Sequence, residues 1–167
     1  MTWIAPSLWH LMGLVTKEKP RPRPPSRARP AQARYDALVV EMKRAYRVRV
    51  NRWRRSTSGC AWVVCYHDGT ESRLIEAPYP RGPVSCAIFL HEIGHHAIGW
   101  DTRRLRCVEE YEAWQWALEA MRARGLNVTA AVQRRVDESL RYALDKARRR
   151  GLKRVPPELA RYAADSG

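Results

Sequence analysis

No stretch of this chain holds the roughly 18 consecutive apolar residues that a membrane-spanning helix needs. The pattern of a secretory leader is missing as well. Residues 1–15 are moderately apolar, but no basic residue precedes them, His10 interrupts them, and Lys17 and Lys19 follow them. That order is the reverse of a leader. The segment reads as a short helix begun by Ser7 that docks on the core or on a partner. Cysteine is scarce: Cys60, Cys65, Cys86 and Cys107 make neither a CxxC pair nor a dense framework. Free thiols in a reducing cytoplasm follow. Cys60 and Cys65, on one strand, would point to opposite faces, which argues against a metal pair there. Acidic residues are few, with 17 Asp+Glu against 31 Lys+Arg and a net charge of +14. Such an excess suits contact with a polyanion or an acidic partner and says nothing of the fold. No internal repeat is visible.

What is present is unevenly distributed over the 167 residues, a length that suits one domain with some tail. Residues 17–34, KEKPRPRPPSRARPAQAR, hold five of the eleven prolines. They read as an extended, solvated linker. From Lys17 to Arg55 there are 14 basic and 3 acidic residues. This basic N-terminal region is the candidate for nucleic-acid contact through phosphates. A folded domain is expected at 35–150, after an apolar segment at 1–16 and the linker at 17–34, with a flexible tail at 151–167. Helical spacing runs through 35–46. Residues 47–55 alternate apolar and basic, as a strand with one wet face does. Residues 60–66, CAWVVCY, read as a buried strand. A hairpin signal at His67-Asp68-Gly69 leads to a third strand around 72–75. Pro83 suits the first turn of a helix over 84–98. Two more helices are expected at about 107–124, ended by Gly125, and from a Thr129 cap to about 150.

The chemistry concentrates at residues 91–95, His-Glu-Ile-Gly-His. On a helix, positions i and i+4 share a face, so His91 and His95 can aim ring nitrogens at one metal ion. Glu92 lies beside the first of them, placed as a general base for a water that a metal acidifies. Gly94 leaves room for close packing or for a substrate backbone. His96 lies about 140° around the helix from His91 and cannot share the ion. No histidine follows His96, so a third ligand further on must be a carboxylate. The candidates are Glu109, Glu110 and Glu112. Glu110 shares a face with Cys107, Trp114, Ala117, Leu118 and Met121, while Glu109 and Glu112 fall toward the polar side. A carboxylate on an apolar face needs a partner or a metal.

His91–His95 followed by Glu110-Tyr111-Glu112-Ala113-Trp114-Gln115-Trp116-Ala117 resembles the HExGH and ExEANxFA helices of the ImmA/IrrE-like gluzincin metallopeptidases. The likeness covers residues 84–121. It implies zinc held by His91, His95 and Glu110, with Glu92 as the general base. It departs from the family at Trp114, where Asn or Asp is usual, and in the short separation of His95 from Glu110. The implied fold is α+β: a small zincin-like domain with a three-stranded, mainly antiparallel sheet, an HExxH helix and two C-terminal helices. The implied activity is that of a zinc endopeptidase acting on a protein substrate, in the family often a helix-turn-helix repressor of a phage or mobile element. Tyr66, Tyr79 and Tyr111 are candidates for the donor that stabilises an oxyanion. Two other readings compete. A DNA-associated protease of the SprT-like kind would fit the basicity but usually takes a third histidine. A non-enzymatic binding protein would carry a closed structural metal site, or one that has been lost.

Overall fold

The computed structural model of the chain describes residues 30–163. The apolar segment expected at 1–16, and the linker up to residue 29, lie outside the described residues. Helix α1 spans Pro30–Ala45, so the last residues assigned to the linker are already helical. Leu38, Val39 and Met42 bury one face of it. Arg47, at φ 52°, then turns the chain into the sheet.

Three strands follow: β1 at Val48–Arg54, β2 at Cys60–Cys65 and β3 at Glu71–Pro78. Their order is β1-β3-β2. The expected hairpin joins β2 to β3 in antiparallel register, with Trp62 opposite Leu74. The other pair is parallel, Val48 lying opposite Arg73, so the sheet is mixed. The physical reason lies in the apolar residues. β3 buries Leu74, Ile75 and Ala77 and takes the centre, as a strand covered on both faces does. β1 carries Arg49 and Arg52 outward and stays at an edge. The apolar β2, expected to be buried, is the opposite edge and only partly covered. To reach it, the chain crosses the end of β3 through residues 55–59.

Helix α2, Pro83–Ile98, is the central element, with every residue from Cys86 to His96 buried. Ser85 holds its start, accepting the Gly82 N–H at 3.1 Å. Helix α3, Arg106–Ala123, packs along it. Gly94 makes that approach possible, since a Cβ there would lie 2.7 Å from the Ala113 carbonyl oxygen. Helix α4, Ala130–Arg149, is capped by Thr129, whose hydroxyl accepts the Val132 N–H at 3.3 Å. It buries Val132, Val136, Leu140 and Leu144 at a spacing of four. The stretch expected to be a flexible tail carries a 3₁₀ turn, Pro157–Leu159, and a short helix α5, Ala160–Ala163. Leu159 and Tyr162 are buried in the same core, and that burial orders the segment despite its prolines. The four cysteines are free thiols. No helix among the described residues is long and apolar enough to cross a membrane.

Replacing Gly94 with alanine gives the direct test of the α2–α3 contact. In an open helix the change would stabilise by about 1 kcal/mol. Here the new methyl meets backbone, so a net loss of about 1–3 kcal/mol is expected, read as a lowered melting temperature.

Candidate metal centre

α2 turns His91 and His95 toward α3, their rings 4.7 Å apart between centroids. α3 answers with Glu110. Its Oε2 lies 3.2 Å from His91 Nε2 and its Oε1 lies 3.7 Å from His95 Nε2. One donor atom from each of the three falls within 4.8 Å of the others, so His91, His95 and Glu110 form a group that can hold a metal ion. Two donors bound at 2.0–2.1 Å to one tetrahedral ion stand roughly 3.4 Å apart, a value that the 3.2 and 3.7 Å distances from the Glu110 oxygens to the two rings bracket. The donor set, two imidazoles and one carboxylate, is that of a three-ligand site.

Each ligand is held by a second contact. Glu109 Oε1 sits 3.2 Å from His95 Nδ1, fixing the ring so that Nε2 faces Glu110. Trp114 stacks on His91 with centroids 4.2 Å apart and planes at 20°, which fixes the plane of that ring. His91 Nδ1 has no hydrogen-bond partner among the described residues. Arg106 spans both acids, 2.6 Å from Glu109 Oε1 and 2.9 Å from Glu110 Oε1. Trp100 stacks beside His95, and Arg106 lies over the Trp100 ring.

The electrostatics follow from burial. Loss of water pushes His91 down to about 4, so its imidazole is neutral, as a metal ligand must be. Burial alone would raise Glu110, but the bond to His91 and the nearby Arg106 guanidinium hold its carboxyl down to about 2. Glu92 is the opposite case: burial, followed by the charge of Glu110, pushes it up to about 8. Its carboxylate lies under the crossing loop. A Cβ on Gly59 would come within 2.3 Å of Glu92 Oε1, so any larger residue there would push the Glu92 side chain out of its place.

These residues open onto a cleft of about 390 Å³. One rim is the crossing loop and the start of β2, residues 58–61. The opposite wall is α4, with Arg135, Tyr142 and Lys146 among its lining residues.

The expected ligands thus converge, and Glu92 shares their cleft. His96 lies outside the group, as its helical angle requires, its Nε2 against the Leu74 carbonyl at 3.1 Å. Gly94 serves packing, the first of its two readings. The helical-face reading of the acids needs correction. Glu109 is the most buried of the three, at 5% exposure, not a residue of the polar side. Its side chain is drawn inward by His95 and Arg106. Glu112 is on the polar side and pairs with Arg104 at 2.9 Å. None of the three tyrosines expected as oxyanion donors lines the cleft. Tyr79 donates its hydroxyl to Asp36 at 2.7 Å, Tyr66 is exposed, and Tyr111 packs against the core. Tyr142 lines it instead. The Arg106 clamp was visible in the spacing, since Glu109 and Glu110 stand three and four residues after it on one helix. The α4 wall had no signal of its own, because a basic helix end is explained by the helix dipole. Compared with known proteins, the chain matches no family model, and no curated protein and no solved structure is significantly similar to it.

The contacts rank the three acids. Glu110→Ala removes a ligand and should abolish stoichiometric binding of a divalent metal. Glu109→Ala frees the His95 ring and should weaken binding about 10–100-fold. Glu112→Ala should leave it unchanged. Competition titration with a chromophoric zinc chelator reads all three; metal loss in the Glu112 variant would overturn the assignment.

Proposed function

We propose that the chain is a zinc-dependent endopeptidase, with Glu92 as its general base. One observation carries this reading: two imidazoles and a carboxylate converge on one point, and a second carboxylate, Glu92, opens to the same cleft. When bound, zinc supplies Lewis acidity, polarising the scissile carbonyl and acidifying the attacking water. Glu92, its carboxyl lowered and ionised by the charge of a bound metal, accepts a proton from that water and returns it to the leaving amine. His91 and His95 stay neutral and oriented, held by Trp114 and Glu109. Gly59 leaves the Glu92 carboxylate its place beside the attacked bond. β2 is a sheet edge whose first residues border the cleft. An extended substrate can pair with its free backbone groups.

The alternatives fit less well. Among the described residues no fourth His, Cys or carboxylate joins the group, as a closed structural site would require. Glu109, a buried acid behind His95, is spent on His95 Nδ1. The third ligand is a carboxylate, which disfavours the SprT-like reading. The motif likeness extends the proposal to ImmA/IrrE-like targets: a protein substrate in the cytoplasm, such as a helix-turn-helix repressor of a phage or mobile element.

The test is a cleavage assay on a peptide library read by mass spectrometry, alongside zinc content. Glu92→Gln should keep one zinc per chain and lose cleavage by about 10²–10⁴-fold. Cleavage retained in that variant would overturn the mechanism. Gly59→Ala forces the Glu92 carboxylate aside, so it should lower kcat by about 10²-fold while zinc stays bound. His91→Ala should lose both zinc and activity.

A further inference from the structure

We propose that the α4 wall of the cleft selects substrate segments rich in Asp or Glu, an inference that rests on the peptidase reading of the site. Arg135, Lys146 and Arg150 line the cleft from α4 and its C-terminal cap. At 100° per residue they fall within about 60° of one another around the helix, forming one stripe about 22 Å long. An extended peptide covers that length with about seven residues.

The cations around this stripe already have acidic partners. Arg106 is held by Glu109 and Glu110, Arg104 by Glu112, Arg54 by Glu76 and Arg148 by Asp145. Arg135, Lys146 and Arg150 form no ion pair among the described residues. Arg135 is anchored through its guanidinium, which donates to the Thr57 carbonyl at 2.9 Å. Its Nε is buried with no hydrogen-bond partner. On the α4 wall a single carboxylate, Glu138, opposes the three cations. An acidic segment would pair with the exposed Lys146 and Arg150 and with Arg135, which is already partly desolvated, whereas a basic one would meet like charge. A cleft of about 390 Å³ admits a few side chains and suits a peptide strand better than a nucleic-acid duplex.

The test uses the full-length, zinc-loaded Glu92→Gln protein and fluorescence anisotropy. The probes are a labelled peptide carrying several Glu residues and its counterpart with Gln at the same positions. The Glu peptide should bind about tenfold more tightly, and the preference should shrink as salt rises. Lys146→Gln with Arg150→Gln should remove the preference. Arg49→Gln with Arg52→Gln, on the exposed face of β1, should leave it intact. Equal affinity for the two peptides would overturn the inference, and so would loss of the preference in the β1 variant. A duplex oligonucleotide that competes equally well against both peptides, in place of discrimination between them, would do the same. Preference for the Glu peptide without cleavage by the wild-type protein would refute the peptidase reading and leave the charge selection standing.

Discussion

The distance between α2 and α3 governs everything at the candidate centre. His91 and His95 belong to one helix and Glu110 to the other, so their donor atoms meet only if the two backbones come close. Gly94 and Ala113 are the residues that allow it. A glycine inside a helix costs about 1 kcal/mol relative to alanine. That cost is accepted because a single methyl would stand 2.7 Å from a backbone oxygen that cannot move away. The motif glycine is therefore a spacer, and the 3.2 and 3.7 Å separations at Glu110 follow from it.

Closeness creates an electrostatic problem, since it gathers His91, Glu92, His95 and Glu109 inside an apolar core. Buried polar groups are tolerated only when partnered. Arg106 resolves most of it with one side chain that reaches both Glu109 and Glu110. The two acids are neighbours in sequence yet do different work, because they stand about 100° apart around α3. Glu110 faces the near nitrogens of both imidazoles, and Glu109 reaches the far nitrogen of His95. One can serve as ligand while the other orients, and their bonds to His91 and His95, helped by the shared arginine, hold both carboxyls low. Glu92 is more deeply desolvated and faces the charge of Glu110 without a direct ion pair, so its carboxyl rises, while the bond to His91 brings that of Glu110 down.

This division marks what a sequence can show. Helical spacing alone placed His91 with His95 and set His96 apart, because i, i+4 geometry is local. The order of the helices and the α+β class were legible for the same reason: Pro83, Gly125 and Thr129 are local punctuation. The roles of Glu109 and Glu110 were only half legible. A helical wheel ranks faces by their apolar neighbours, and Glu109 lies inward because a histidine and an arginine draw it there. The parallel pairing of β1 with β3 was not legible, since strand order depends on which strand is most fully covered. Nor was the burial of Leu159 and Tyr162, because prolines report local stiffness and not a distant docking site.

The cleft depends on those non-local features. Its floor is the α2–α3 pair, but its walls come from the crossing loop at residues 55–59 and from α4, far apart in sequence. The loop is there because β1 and β2 lie on opposite sides of β3, so the chain must pass over the strand ends beside α2. α4 is held by Val132, Val136, Leu140 and Leu144, all buried. Arg135, Ser139 and Ala143 each precede one of the last three by a single residue, so the stripe that lines the cleft flanks the stripe that anchors the helix. The apolar contacts that stabilise the domain therefore also set where the cations of α4 stand relative to His91 and Glu92. Packing and the shape of the candidate site are here two faces of one helix.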